Sequence, residues 1–148
     1  MSKKDLLPFE VTLHVRDHCL CMHLQRAARA TARLFDDALR PHGLTSGQFS
    51  LLMSLNRPEP PTVGSVANLL AMDRTTLTAN IKPLARRELM EVAVDEADRR
   101  SRRLKLTEAG RKLLADAFPI WKKTHEEVDA RLAPSDAGHL RADLIRLA

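Results

Sequence analysis

Between Thr62 and Gly110 the chain reads as two short helical stretches and then a hairpin. The return side of the hairpin, Arg99 to Lys105, carries five cations in seven residues and no acid. Few arrangements accommodate that order. Met90–Val94 and Arg102–Leu106 alternate as strands do, so Val92, Val94, Leu104 and Leu106 can share an inner face. Asp95–Arg100 supplies the turn between them. In the helical stretch before the hairpin, Leu77, Ile81 and Leu84 fall at i, i+4, i+7 and form one apolar side. The opposite side carries Thr75, Thr78, Ala79, Lys82 and Arg86. Asp73 precedes this stretch and can cap it, because a short acceptor satisfies the free N–H groups of a first turn.

The rest of the chain reads as helix. Four Phe, one Trp and no Tyr leave the core to Leu, Val, Ala and Met, which favours helices. Residues 1–12 read as an arm. Apolar positions from Leu13 to Leu39 recur at helical spacing and predict one long first helix, ending before Pro41 and Gly43. Thr45 and Gln48 form a capping box that opens a second helix through Phe49, Leu52, Met53 and Leu55. Asn56–Pro61 is a proline-rich loop, and Thr62 caps a third helix. Thr107 caps another after the hairpin, with Leu113, Leu114, Ala117, Phe118, Trp121 and Val128 on its stripe and Pro119 predicted to bend it. A last helix follows Pro134–Ser135 with Leu140, Leu144, Ile145 and Leu147. The fold class is mainly α with a small β-hairpin wing. At 148 residues the chain suits a single domain. Within 1–148, residues 45–106 form a winged helix-turn-helix lobe, and 13–42 with 107–148 form a helical region.

A helix able to enter a major groove beside a basic hairpin is the layout of a double-stranded DNA reader. Small hydroxyls on Thr75 and Thr78 let the backbone approach base edges, and Arg74 at the helix start can reach a guanine or a phosphate. An arginine at the hairpin tip suits the minor groove, where narrow width concentrates negative potential. Asp98, two residues before Arg100, can hold that guanidinium in place. The flanking cations, Arg99 and Arg102 among them, suit phosphates. A net charge of +5 fits a polyanionic partner. A solvated amphipathic helix and a non-DNA winged-helix interaction module are the alternatives. No nucleophile elbow, phosphate-binding glycine loop or zinc-hydrolase pair occurs, so neither an enzyme nor a cofactor is expected.

The chain resembles the MarR family of bacterial transcription regulators from about Cys19 to Leu147. The resemblance lies in Gly43-Leu-Thr-x-x-Gln48-Phe49, in Leu70-Ala-Met-Asp-Arg-Thr-Thr-Leu-Thr, and in Asp98-Arg-Arg100 followed by Leu106-Thr-Glu-Ala-Gly110. It implies an obligate homodimer joined by the first and last two helices, two lobes reading a palindromic operator, and a ligand or redox site between lobe and dimer interface. It also implies that Arg100 is the minor-groove arginine and that Arg74, Thr75, Thr76, Thr78 and Lys82 lie on the major-groove helix. The simplest such regulator is a repressor released by a small-molecule or redox signal. Two departures stand out. Pro83 lies inside the recognition helix, where a bend is expected. After that helix the family usually has glycine, where this chain has Arg86-Arg-Glu88-Leu89. A positive φ there costs on the order of 1 kcal/mol without glycine, so a different turn is expected.

His14, His18, Cys19, Cys21 and His23 crowd the start of the first helix. Three readings stay open. The cysteines can be small buried hydrophobes. Cys21, with Cys19 beside it, can be a thiol switch, for Leu20-Cys21 followed by Arg29 and Arg33-Leu34-Phe35 resembles the organic-hydroperoxide sensors of the family, OhrR. Those sensors use tyrosine hydroxyls that this chain lacks. Third, His14 with His18, and Cys19 with His23, stand at a chelating i, i+4 spacing, but no clustered carboxylate joins them, so no metal is assigned. For a small-molecule effector the resemblance implies a pocket between the first, second and fifth helices, with His23, Phe49, Met53 and Trp121 as candidate lining residues. No apolar run is long enough to span a bilayer, and two cysteines this close do not read as a disulfide framework. A reducing cytoplasm is the expected setting.

Overall fold

A computed structural model describes residues 6–148. The helices α1 (Phe9–His18), α2 (Leu20–Leu39), α3 (Ser46–Ser54), α4 (Val63–Leu69) and α5 (Arg74–Arg86) lead into an antiparallel hairpin, β1 (Met90–Val94) and β2 (Arg102–Leu106). The long α6 (Glu108–Leu132) and α7 (Ala137–Leu147) complete the chain. A single 3-10 turn over Arg40–His42 separates α2 from α3.

Where local chemistry predicts an element, the element is there. Thr45 and Gln48 form the reciprocal capping box at α3. Thr62 accepts from the Ser65 N–H, Asp73 from the Thr76 N–H, and Thr107 from the Gly110 N–H, so α4, α5 and α6 each start on a side-chain cap. Both strands have the predicted bounds. α5 continues past Pro83 to Arg86, and α6 is continuous across Pro119.

The amino-terminal helix differs from the reading. Helix begins at Phe9, inside the expected arm, and the predicted single helix is divided at Cys19, which is extended at φ −68°, ψ 103°. Residues 1–5 of that arm lie outside the described residues. At the break Cys19 Sγ accepts from the freed Met22 N–H at 3.5 Å, and the Cys19 carbonyl opens the ladder of α2 by accepting from the His23 N–H at 3.2 Å, with His23 Nδ1 2.7 Å away. Such local bonds compete with the helical ladder, and the apolar periodicity runs on through the break without registering it.

One core holds the lobe together. Phe35 and Leu39 of α2 meet Phe49 and Leu52 of α3, Val66 of α4, and Leu77, Ile81 and Leu84 of α5. Leu104 and Leu106 of β2 and Leu114 and Ala117 of α6 close it. Each such Leu contributes about 1.5–3 kcal/mol by leaving water. The predicted inner face of the hairpin is only half right. Met90 pairs with Leu106 and is buried, whereas Val92 and Val94 are exposed. The hairpin is rooted in the core at one end and projects from the lobe at the other.

The outer helices bury nothing. α1 and α7 contain no buried residue, and Phe9, Val15, Leu140, Leu144, Ile145 and Leu147 are exposed. No helix among the described residues is long and apolar enough to cross a membrane.

Candidate nucleic-acid interface

α4 and α5 form a helix-turn-helix. The turn between them carries Ala71 at φ +50°, and the Met72 N–H donates to the Ala67 carbonyl at 2.9 Å. Leu77, Ile81 and Leu84 bury one side of α5, so the opposite side is fixed outward. Thr75, Thr78, Ala79, Lys82 and Arg86 are all exposed there. Arg74 is exposed too, and its guanidinium lies over Gly64 of α4, where a methyl group would meet it at 2.8 Å. Thr76 differs from its neighbours. Its N–H and its hydroxyl both donate to the Asp73 carboxylate, at 2.7 and 3.0 Å. These two bonds, the backbone one first, hold the Asp73 carboxyl below its ordinary pKa.

After α5 the chain turns through Glu88 at φ +58°. The left-handed turn expected to change without glycine is therefore kept by a glutamate. Its carbonyl accepts from the Thr107 hydroxyl at 2.6 Å, and the Leu89 carbonyl accepts from the Thr107 N–H. The start of α6 thus ties down the route from α5 into β1.

At the far end of the hairpin Arg100 is 97% exposed. Asp98 accepts from the Arg100 N–H at 3.1 Å and lies 3.6 Å from its Nε, as the sequence predicts. Arg99 is exposed beside it. Arg102 folds back, its Nη1 donating to the Arg99 and Ser101 carbonyls at 3.1 and 3.2 Å. Arg74, Lys82, Arg86, Arg99 and Arg102 have no ion-pair partner among the described residues. A face of exposed cations and hydroxyls with so few acids suits a phosphate backbone.

Arg103 does not join that face, contrary to the reading of the flanking cations as phosphate contacts. It bridges back to the protein, donating to the Pro60 carbonyl and pairing with Asp95 at 3.2 Å. Asp95 is buried, and the bond from Arg103 holds its carboxyl below its ordinary pKa. A signal for this pair exists in the sequence. Ala93 is opposite Arg103, and Asp95, two residues on, is its diagonal neighbour.

The predicted effector residues are not all in one place. Phe49, Met53 and Trp121 line one cleft of 380 Å³ with Asn56, Arg57 and Leu70. Trp121 stacks on Phe49 at 5.9 Å and on His125 at 4.9 Å. A neighbouring cleft of 540 Å³ shares Met53 and Asn56 and adds Arg111 and Phe118. His23 lies apart, in a groove along α2 with Arg26, Arg29 and Arg33. Arg57 in its loop and Arg111 on α6 escaped the sequence reading, since nothing local marks an arginine as lining a cleft.

Neither cysteine joins the core within one chain. Cys19 is half-buried and Cys21 exposed. His14 and His18 stack at 4.1 Å, and no group of three His, Cys, Asp or Glu that could hold a metal converges among the described residues.

A sequence profile described as the MarR family matches residues 44–101, which span α3 to the tip of the hairpin. The transcriptional repressor NicR of Pseudomonas putida is 33% identical over 136 residues, covering 85% of this chain and 82% of NicR. This chain belongs to the MarR family. Among solved structures of this kind, the M. tuberculosis regulator MosR in complex with DNA has 37% identity and a TM-score of 0.79, covering 88% of this chain and 93% of MosR. A variant of E. coli MarR with operator DNA has a TM-score of 0.79 at 21% identity, a likeness of fold. The MarR-family lobe of this chain is thus the segment that carries Arg74, Thr75, Thr78, Lys82 and Arg100.

Proposed function

We propose that this DNA-binding transcriptional regulator works as a homodimer that reads a palindromic operator and leaves it when a signal reshapes the dimer. The observation that carries the reading is the pairing of an outward α5 face with a nearly bare Arg100 at the wing tip. Thr75, Thr78, Arg74 and Lys82 meet the major groove, with Thr76 serving the cap that presents them. Arg100 enters the adjacent minor groove, and Arg99 and Arg102 meet phosphates. A second copy covers the apolar surface of α1 and α7, since exposed stripes of this kind mark association sites. The dimerisation region is then 13–42 and 107–148, extended to Phe9, and the reading lobe 45–106. Two-fold symmetry sets the half-sites about one helical turn apart. The test is fluorescence anisotropy on duplexes selected from a random-sequence pool. A DNA reader loses affinity linearly in log salt, with slope about −0.9 per phosphate neutralised. A flat salt response, or no enriched sequence, would leave a protein-interaction module instead.

The signal enters at the cleft of Phe49, Met53 and Trp121. Aromatic walls with Arg57 at the rim suit a small organic anion with an apolar body. Trp121 is the only tryptophan, so its fluorescence reports occupancy directly.

A second reading rests on the exposure of Cys21. Its thiolate would attack an organic hydroperoxide, breaking the O–O bond, releasing the alcohol and leaving a sulfenic acid. Condensation with the Cys19 thiol would then form a disulfide and release water. DNA release by hydroperoxide that is lost in Cys21→Ser, and reversed by dithiol in the unaltered protein, is the required result.

A further inference from the structure

We propose that Arg103 is a positioning residue for DNA reading: it braces the wing against the loop before α4 and so sets where Arg100 falls. The proposal rests on the reading of Arg100 as a groove contact. By sequence Arg103 is one of five cations in the basic strand, and its neighbours Arg99, Arg100 and Arg102 are exposed. Arg103 alone is turned inward. Its Nε meets Asp95 at 3.2 Å on the outgoing side of the hairpin, while its Nη1 donates to Pro60 in the loop. A planar guanidinium can hold two acceptors at a fixed angle, which a lysine cannot.

The two anchors belong to different elements. Asp95 directly follows β1, where its carboxylate also accepts from the Ala97 N–H at 3.1 Å and its own N–H donates to the Ser101 carbonyl. Pro60 belongs to the segment that leads through Pro61 into Thr62, the cap of α4. That segment already pairs with β2: the Leu104 N–H donates to the Pro61 carbonyl at 2.9 Å, and Thr62 bridges to Arg103. Val92 and Val94 give the outer hairpin no apolar seat. Beyond Leu104, therefore, Arg103 supplies the side-chain tie between wing and helix-turn-helix. Without it the hairpin still forms from its own ladder, but its angle to α4 and α5 is less well fixed.

A double-mutant cycle on the selected duplex tests this. Arg103→Ala lowers affinity about tenfold in the intact protein and less than about twofold once Arg100 is Ala, since two residues acting through one contact are not additive. Arg103→Lys, which keeps the charge, behaves as Ala, and Asp95→Asn lowers affinity in the same direction. Without DNA, the Leu104 amide exchanges faster in both Arg103 variants while circular dichroism shows the helices retained. Equal losses in both backgrounds, or rescue by Lys, mean that Arg103 touches DNA itself and overturn the proposal. Unchanged affinity or unchanged exchange in Arg103→Ala does so too. If Arg100→Ala alone binds normally, the groove assignment of Arg100 fails, while faster Leu104 exchange still upholds the brace.

Discussion

Both carboxylate oxygens of Asp73 are occupied by Thr76, one by its N–H at 2.7 Å and the other by its hydroxyl at 3.0 Å. Thr76, which by sequence belongs with the groove-facing residues, satisfies the Asp73 cap at the start of α5. The pair sets the first turn, so that Arg74 and Thr75 are presented together.

Thr76→Val should therefore lower thermal stability while leaving the selected operator sequence unchanged. Thr75→Val and Thr78→Val should do the reverse, with near-normal melting and altered base preference. Melting curves and repeat selection on each variant make the comparison. Altered preference in Thr76→Val alone would move Thr76 into the interface.

Arg100→Ala should lower affinity about tenfold or more, as loss of a good groove contact does, with no change in dimerisation or melting. The side chain is bare, so its removal exposes no core. Normal binding by this variant would refute the minor-groove assignment.

Asp95 gives a pH dependence. Arg103 lowers its carboxyl pKa in the folded state. The stability this provides is full above the ordinary aspartate value, about 3.9, and is lost as pH falls through the depressed folded value. Asp95→Asn should melt lower than the unaltered protein at neutral pH, and the difference should shrink toward strong acid. A difference that stays constant with pH would show that the pair adds no charge-linked stability.

Glu88 at φ +58° and Gly110 make a contrasting pair of backbone tests. Glu88→Gly should raise stability by roughly 0.5–1 kcal/mol by relieving the left-handed conformation. Gly110→Ala should cost about 3 kcal/mol, the upper end for overpacking. Its methyl group would come within 2.1 Å of the Leu89 carbonyl oxygen, which is backbone and already accepts from Thr107. Denaturant titrations measure both.

The sequence by itself determined the helix starts from Thr45 onward, both strands and the outward side of α5, whose causes lie within a few residues, though not the equally local break at Cys19. Thr45, Thr62, Asp73 and Thr107 mark helix starts because a cap bonds only two or three positions ahead. Alternation placed both strands, and the i, i+4, i+7 spacing of Leu77, Ile81 and Leu84 told which side of α5 faces out. Only the tertiary structure decided the rest. It left Val92 and Val94 exposed, because the hairpin projects away from the core that covers Met90 and Leu106. It separated His23 from Trp121, which only α6 brings beside Phe49. And it turned Arg103 away from its fellow cations, since its partners are the diagonal Asp95 and a carbonyl 43 residues back in the chain. A charge in a sequence has no direction; what it serves is settled by the acceptors that folding brings within reach.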